Sequence, residues 1–200
     1  MRPGYLYDDL VAAAIKLASS RLPLAIPSLR SVARECSVSA AAVYRHFPSQ
    51  GSLNQAIILT IDTAFVAELG AALDPAGTPL ERLHALAAAY LDWGLTHPGL
   101  YQLRFESADQ LGRDFVRTEA ADDLLEHIDQ LVRAVDPEGS EVTAEDLWTG
   151  LHGVVSLRIH KPDRRWQTDP GAQVGKLLRA WGLGAPPVDG RGAPPLDKSS

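Results

Sequence analysis

Apolar residues recur along this chain at i, i+3 and i+4, and no alternating run is long enough to build a sheet. The spacing therefore predicts an all-α protein of about nine helices. The first runs from about Tyr7 to Ser20, with Tyr7, Leu10, Val11, Ala14, Ile15 and Ala18 on one face. Pro23 and Pro27 bracket a loop. Ser28 reads as an N-cap for a helix from Leu29 to about Glu35, with Leu29, Val32, Ala33 and Cys36 turned inward. After the turn Cys36-Ser37-Val38, Ser39 caps a helix over Ala40–Phe47. Pro48 ends it, and Ser49 caps a long helix from about Gln50 to Leu73 lined by Leu53, Ile57, Ile61, Ala64 and Leu69.

Asp74-Pro75-Ala76-Gly77 breaks that helix. Thr78-Pro79-Leu80-Glu81 starts another: a capping threonine, proline at the first helical position and a glutamate placed to close a capping box. It reaches about His97. Pro98-Gly99 interrupts it before a short piece with Leu100, Tyr101, Leu103 and Phe105. A long helix is expected over about Ala108–Val135, one from Thr143 to about His160, and a last one over about Gly171–Trp181 with Val174, Leu177, Leu178 and Trp181 inward. From Gly184 the sequence is Pro, Gly and charge without periodicity, the pattern of an unordered tail.

Composition adds three points. The 200 residues carry a net charge of -6, but residues 1–53 hold six Lys/Arg against three Asp/Glu. A basic head on an acidic body suits polyanion binding by one end. The single cysteine, Cys36, excludes an intramolecular disulfide and a cysteine-based zinc site. MRPGYLYDDL lacks the apolar stretch of a secretory leader, and no long apolar run suggests a membrane span. A cytoplasmic protein with no membrane partner is expected.

Residues 28–53, SLRSVARECSVSAAAVYRHFPSQGSL, place two short helices around a tight turn, the helix-turn-helix plan. Ala40 and Ala41 are small enough to let a backbone approach base edges. Tyr44, Arg45 and His46 supply donors, and Val43 and Phe47 should anchor the helix. An ordinary amphipathic helix with a polar face would show some of the same pattern. In Ser28-Leu29-Arg30, Val38-Ser39 and Val43-Tyr44-Arg45-His46-Phe47-Pro48-Ser49, followed by Leu53, the segment resembles the TetR family of repressors. The resemblance implies a head over 1–50, an effector and dimerisation body over 51–183 and a tail over 184–200. It implies phosphate contacts from Ser28, Tyr44 and His46. Base or groove contacts are implied for Arg30, Ala40, Ala41 and Arg45, beside the capping Ser39. Two positions depart from the family pattern. Ser37 stands where a turn glycine is common, and Gln50 where a lysine is common.

Trp148-Thr149-Gly150-Leu151-His152-Gly153 resembles a TetR subgroup with a Trp…His-Gly motif. The helix is apolar on two rows: Trp148, His152, Val155 and Ile159 on one, Leu147, Leu151 and Val154 on the other. It must be buried within the body or between subunits. Gly150 and Gly153 each cost about 1 kcal/mol of helix propensity, and close helix approach would offset that. The resemblance implies a homodimer built on the last two helices, through Leu147, Gly150, Leu151, Val154, Val174, Leu178 and Trp181. It implies a double-stranded DNA operator of palindromic form and a small-molecule effector near Trp93, His97, Tyr101, Phe105, Trp148 and His152, with no cofactor. Aromatics at helical spacing are also ordinary core. Asp92, Glu106 and Asp109 would favour a cationic effector if they faced it, although a solvated face explains them better. Effector binding would shift the fourth helix and change the spacing of the heads. The reading is of a repressor and not an enzyme. A helical metal enzyme using His84, His97, His127, His152 or His160, with Glu81-x-x-His84 as its only bundle-type pair, is the alternative from another class, and a helical adaptor is a third.

Overall fold

The computed structural model describes residues 5–19, 26–73, 76–106, 119–136 and 141–184. Among them stand nine helices and no strand: α1 (Tyr5–Ser19), α2 (Leu29–Glu35), α3 (Ala40–His46), α4 (Gln50–Ala71), α5 (Pro79–Thr96), α6 (Pro98–Phe105), α7 (Glu119–Val135), α8 (Ala144–His160) and α9 (Pro170–Ala180). The long helix expected from Ala108 is seen from Glu119. Its first part, like Asp109 and the tail beyond Gly184, lies outside the described residues.

The helix starts follow the capping signals. The Ser28 and Ser39 side chains accept from the backbone N–H groups of Ser31 and Ala42. Ser49 with Ser52, Thr78 with Glu81 and Thr143 with Asp146 form capping boxes. α2 ends in a Schellman turn: the Val38 N–H reaches the Ala33 carbonyl (3.0 Å) and the Ser37 N–H that of Arg34 (3.2 Å). Ser37 sits at φ 55°, the left-handed conformation that favours glycine. The turn thus forms despite the substituted residue.

α1, α2 and α3 close over Leu10, Val11, Ala14, Val32, Val43 and Phe47, all buried. The first turns of α4 complete this head with Leu53 and Ile57. Farther along α4 it is Phe65, not Ala64, that turns inward: Phe65 is 3 % exposed, and Ala64 faces solvent. The body packs α5 against α7 and α8, with α9 across α8 and α5. α6 bridges the two parts. It touches α4 and α5, and its Gly99 lies so close to α1 that a Cβ there would sit 2.8 Å from the Ser19 backbone.

Candidate nucleic-acid interface and ligand cavity

α3 is held from below and open above. Val43 and Phe47 are buried, and Tyr7 of α1 covers the Phe47 ring at 5.0 Å. Ser39, Ala40, Ala41, Tyr44 and Arg45 are exposed, and His46 is half-buried beside Tyr7. Ser28 and Arg30 are exposed at the start of α2. Of the eight residues singled out for DNA, seven are exposed and His46 is half-buried. Sequence reasoning missed how this face is fixed to the body. The Gln50 Oε1 accepts the Leu29 N–H (3.3 Å), and its Nε2 donates to the Pro27 carbonyl (3.0 Å) and to Asn54 Oδ1 (2.8 Å). An amide can do both; an ammonium group has no acceptor.

Behind the head, α4, α5, α6, α7 and α8 enclose a cavity of about 300 Å³. Phe65, Leu69, Tyr90, Phe105, Leu124 and Trp148 give it a mainly apolar wall. Two charges stand in that wall, Asp62 of α4 and Arg104 of α6. They form an ion pair with only 8 % and 12 % of their side chains exposed. The Arg104 guanidinium lies 4.2 Å from the Phe65 ring centre and 4.3 Å from that of Phe105, so two aromatic rings attract it as well as Asp62. Burial pulls its pKa below the ordinary value, against the Asp62 charge.

Of the six expected effector contacts, Phe105 and Trp148 line the cavity. The other four are not among the residues that line it. Trp93 is buried against Phe65 (4.8 Å between ring centres) as core. His97 is exposed at the α5–α6 junction, its Nδ1 3.2 Å from the Trp93 carbonyl. Tyr101, fully buried, and His152, half-buried, belong to a chain of hydrogen bonds beside the cavity: Tyr90 Oη to Tyr101 Oη (3.1 Å) to His152 Nδ1 (2.6 Å). Burial pushes the Tyr90 hydroxyl up to about 12, raises that of Tyr101 and lowers His152. All three are neutral near pH 7, so the His152 tautomer sets whether Tyr101 donates to the ring nitrogen or accepts from it. Asp62, Phe65, Tyr90 and Arg104 were missed. A charge inside an apolar helix was the available signal for Asp62 and Arg104: Asp62 follows Ile61 and precedes Phe65 by three, and Arg104 stands between Leu103 and Phe105.

Most of the expected subunit contacts are buried within the protomer itself. Leu147, Leu151, Val154, Val174 and Leu178 are each at most 5 % exposed within the single protomer. They are its own core, because α8 and α9 need them to close on each other and on α5. Gly150 serves the same packing: a Cβ there would come 2.6 Å from the half-buried Trp181 ring. Gly153 faces open space, and Leu157 one turn on is 50 % exposed. Neither Glu81 nor His84 is free for a metal. The Glu81 carboxylate caps Thr78 (2.8 Å), and His84 Nε2 bonds the Leu183 carbonyl (3.3 Å). Asp92 is exposed away from the cavity, and Glu106 is engaged by Ser156 (2.9 Å) and His160 (2.7 Å). Among the described residues no helix is long and apolar enough to cross a membrane.

Known proteins share this architecture. Residues 83–181 match the tetracyclin repressor-like C-terminal domain family. The nucleoid occlusion factor SlmA of Haemophilus influenzae is 31% identical over 88 residues, 41% of this chain and 40% of that protein. The chain spans about half, or less, of the length of the curated relatives it matches. A TetR-like transcriptional regulator from Rhodococcus sp. RHA1 superposes with a TM-score of 0.66 at 20% identity, covering 91% of this chain and 96% of that one. The multidrug binding protein EbrR, solved with imidazole, gives 0.60 at 23% identity, covering 92% and 97%. Residues 83–181 thus belong to the tetracyclin repressor-like C-terminal domain family, and with the capped helix-turn-helix ahead of them the chain has the fold of TetR-like regulators.

Proposed function

We propose that the protein is a cytoplasmic transcriptional repressor, not an enzyme, that binds a palindromic operator as a dimer and is released by a small molecule. The observation that carries this is the exposed face of α3, with Ala40, Ala41, Tyr44 and Arg45 open on a helix whose other side is locked by Val43 and Phe47. Ala40, Ala41, Arg45 and Arg30 would meet base edges in the major groove. Ser28, Ser39, Tyr44 and His46 would hold phosphates and set the register. The second copy would dock along Gly153 and Leu157 of α8 and the half-buried Leu177 and Trp181 of α9, carrying two heads to half-sites roughly 34–36 Å apart or a multiple. The effector would occupy the cavity, with Trp148 at its rim and Phe105 in its wall, where α4 and α6 both connect to the head.

Selection of genomic fragments by the purified protein, followed by footprinting, tests this. A palindromic site bound with steep salt dependence is expected. Arg45→Ala should weaken that site by about 1–3 kcal/mol, and Tyr44→Phe should weaken all sequences alike. A monomer with no salt-sensitive attraction to duplex DNA would overturn the reading.

A further inference from the structure

The cavity wall is apolar except at one end, and there it is rich in donors. Arg104 has five N–H groups, and among the described residues Asp62 is the carboxylate that lines the wall with it. The Phe65 and Phe105 ring centres lie 4.2 and 4.3 Å from the guanidinium carbon and 5.7 Å from each other, so both rings crowd one side of it. The Arg104 Nε is buried with no partner among the described residues, so the ion pair with Asp62 leaves the group under-bonded. Tyr90 adds a neutral hydroxyl to the same wall. A cation entering here would meet Arg104, and Asp62, the carboxylate of the wall among the described residues, is already paired with it.

We infer that the ligand of this cavity is a small, mainly apolar molecule bearing one carboxylate, which pairs with the Arg104 guanidinium where it lines the wall. This rests on reading the cavity as the effector site. About 300 Å³ stands at the small end of ligand pockets. An aryl or short alkyl acid fits that size and the aromatic lining. The acid's charge also has a target. Two carboxylates sharing one buried guanidinium repel each other, so the incoming acid weakens the hold of Arg104 on Asp62 and hence of α6 on α4.

The test uses the full chain and three acids (phenylbutanoate, naphthoate and octanoate), each beside its primary amide and its amine. Binding is read by calorimetry on the free protein. Each acid should bind about tenfold or more tighter than its amide, and the amine weakest. Arg104→Gln should abolish the preference for acid over amide. Asp62→Asn should strengthen acid binding, because the competing charge is gone. Merely structural damage would move both variants the same way. Equal binding of acid and amide, a preference for the amine, the same direction of change in both variants, or no acid binding at millimolar concentration would each overturn the inference. Acid preference in a protein that holds no DNA would leave the ligand class standing and sink the repressor. Operator release by neutral compounds alone would do the reverse.

Discussion

Gly153 offers a substitution whose effect should change sign with protein concentration. It lies inside α8, and an added Cβ meets nothing within 4 Å in the protomer. Alanine there gains about 1 kcal/mol of helix propensity and loses no packing, so the isolated protomer should be stabilised by that amount. Two other glycines calibrate the scale. At Gly94 a Cβ would come 2.6 Å from the buried Val155 and 3.0 Å from the buried Tyr101 ring. Overpacking of about 1–3 kcal/mol opposes the propensity gain there, so Gly94→Ala should lose up to about 2 kcal/mol. At Gly150 the obstruction is the far end of the Trp181 indole, which can swing, and the net change should stay within about 1 kcal/mol of zero. If the second copy crosses over Gly153 and Leu157, the new methyl holds the helices apart and raises the dimer dissociation constant by about tenfold or more. Urea unfolding over a wide range of protein concentration, with sedimentation equilibrium, reads both terms. Gly153→Ala should be more stable than the parent when dilute, and should lose that advantage as the parent dimerises. Greater stability at every concentration, with an unchanged dissociation constant, would remove α8 from the subunit contact.

Other expectations address the head and the buried chain. Ser37→Gly relieves a left-handed serine that costs about 1–2 kcal/mol and adds glycine entropy of roughly half that, so a gain of about 0.5–1 kcal/mol is expected in urea unfolding. A loss would mean that the Ser37 side chain has a role of its own. His152 has its pKa lowered by burial, so its contribution to stability is complete above its unperturbed value of 6.5 and is lost as pH falls below it. The difference in urea midpoint between the parent and His152→Gln should therefore shrink from about pH 7 toward pH 5, and a constant difference contradicts the assignment. Gln50→Ala removes three hydrogen bonds, which should cost about 1–3 kcal/mol of stability and weaken operator binding without altering its salt slope. A changed slope would place Gln50 on a phosphate.

The helices were legible because their ends carry chemistry as well as periodicity. Thr78-Pro79-Leu80-Glu81 predicts α5 to the residue, and the capping box is there. The exposed face of α3 was legible for a similar reason: Val43 and Phe47 fix which side is inward, and Ala40, Ala41, Tyr44 and Arg45 follow on the other. The cavity was much less legible. Aromatics at helical spacing do not reveal whether a void lies beside them, so Trp93 and Tyr101 went to the core while Phe105 and Trp148 met the space. The subunit contact suffered from the same ambiguity. An apolar row such as Leu147, Leu151 and Val154 has one signature whether the helix that buries it belongs to its own chain or to another. Only tertiary packing, here that of α9 and α5 against α8, decides.

The exchange of lysine for Gln50 connects these parts. A lysine would add a phosphate contact, but it could not accept the Leu29 N–H, and the first turn of α2 would lose its tie to α4. With Gln50 in place, α2 moves with α4, and α4 runs as one helix for twelve residues, roughly 18 Å, to Asp62. α6 reaches the head independently: Gly99 near its start lies against the end of α1, and Arg104 stands at its far end. The head is therefore gripped at two points by two helices, and the Asp62–Arg104 pair joins those helices where they face the cavity. An apolar contact at that place would yield to a ligand only by being pushed apart. An ion pair can be competed away by charge, so in the proposed dimer a small molecule with the right charge would loosen α4 from α6 without unfolding either, and the tilt of α3 against its twin would change as a consequence.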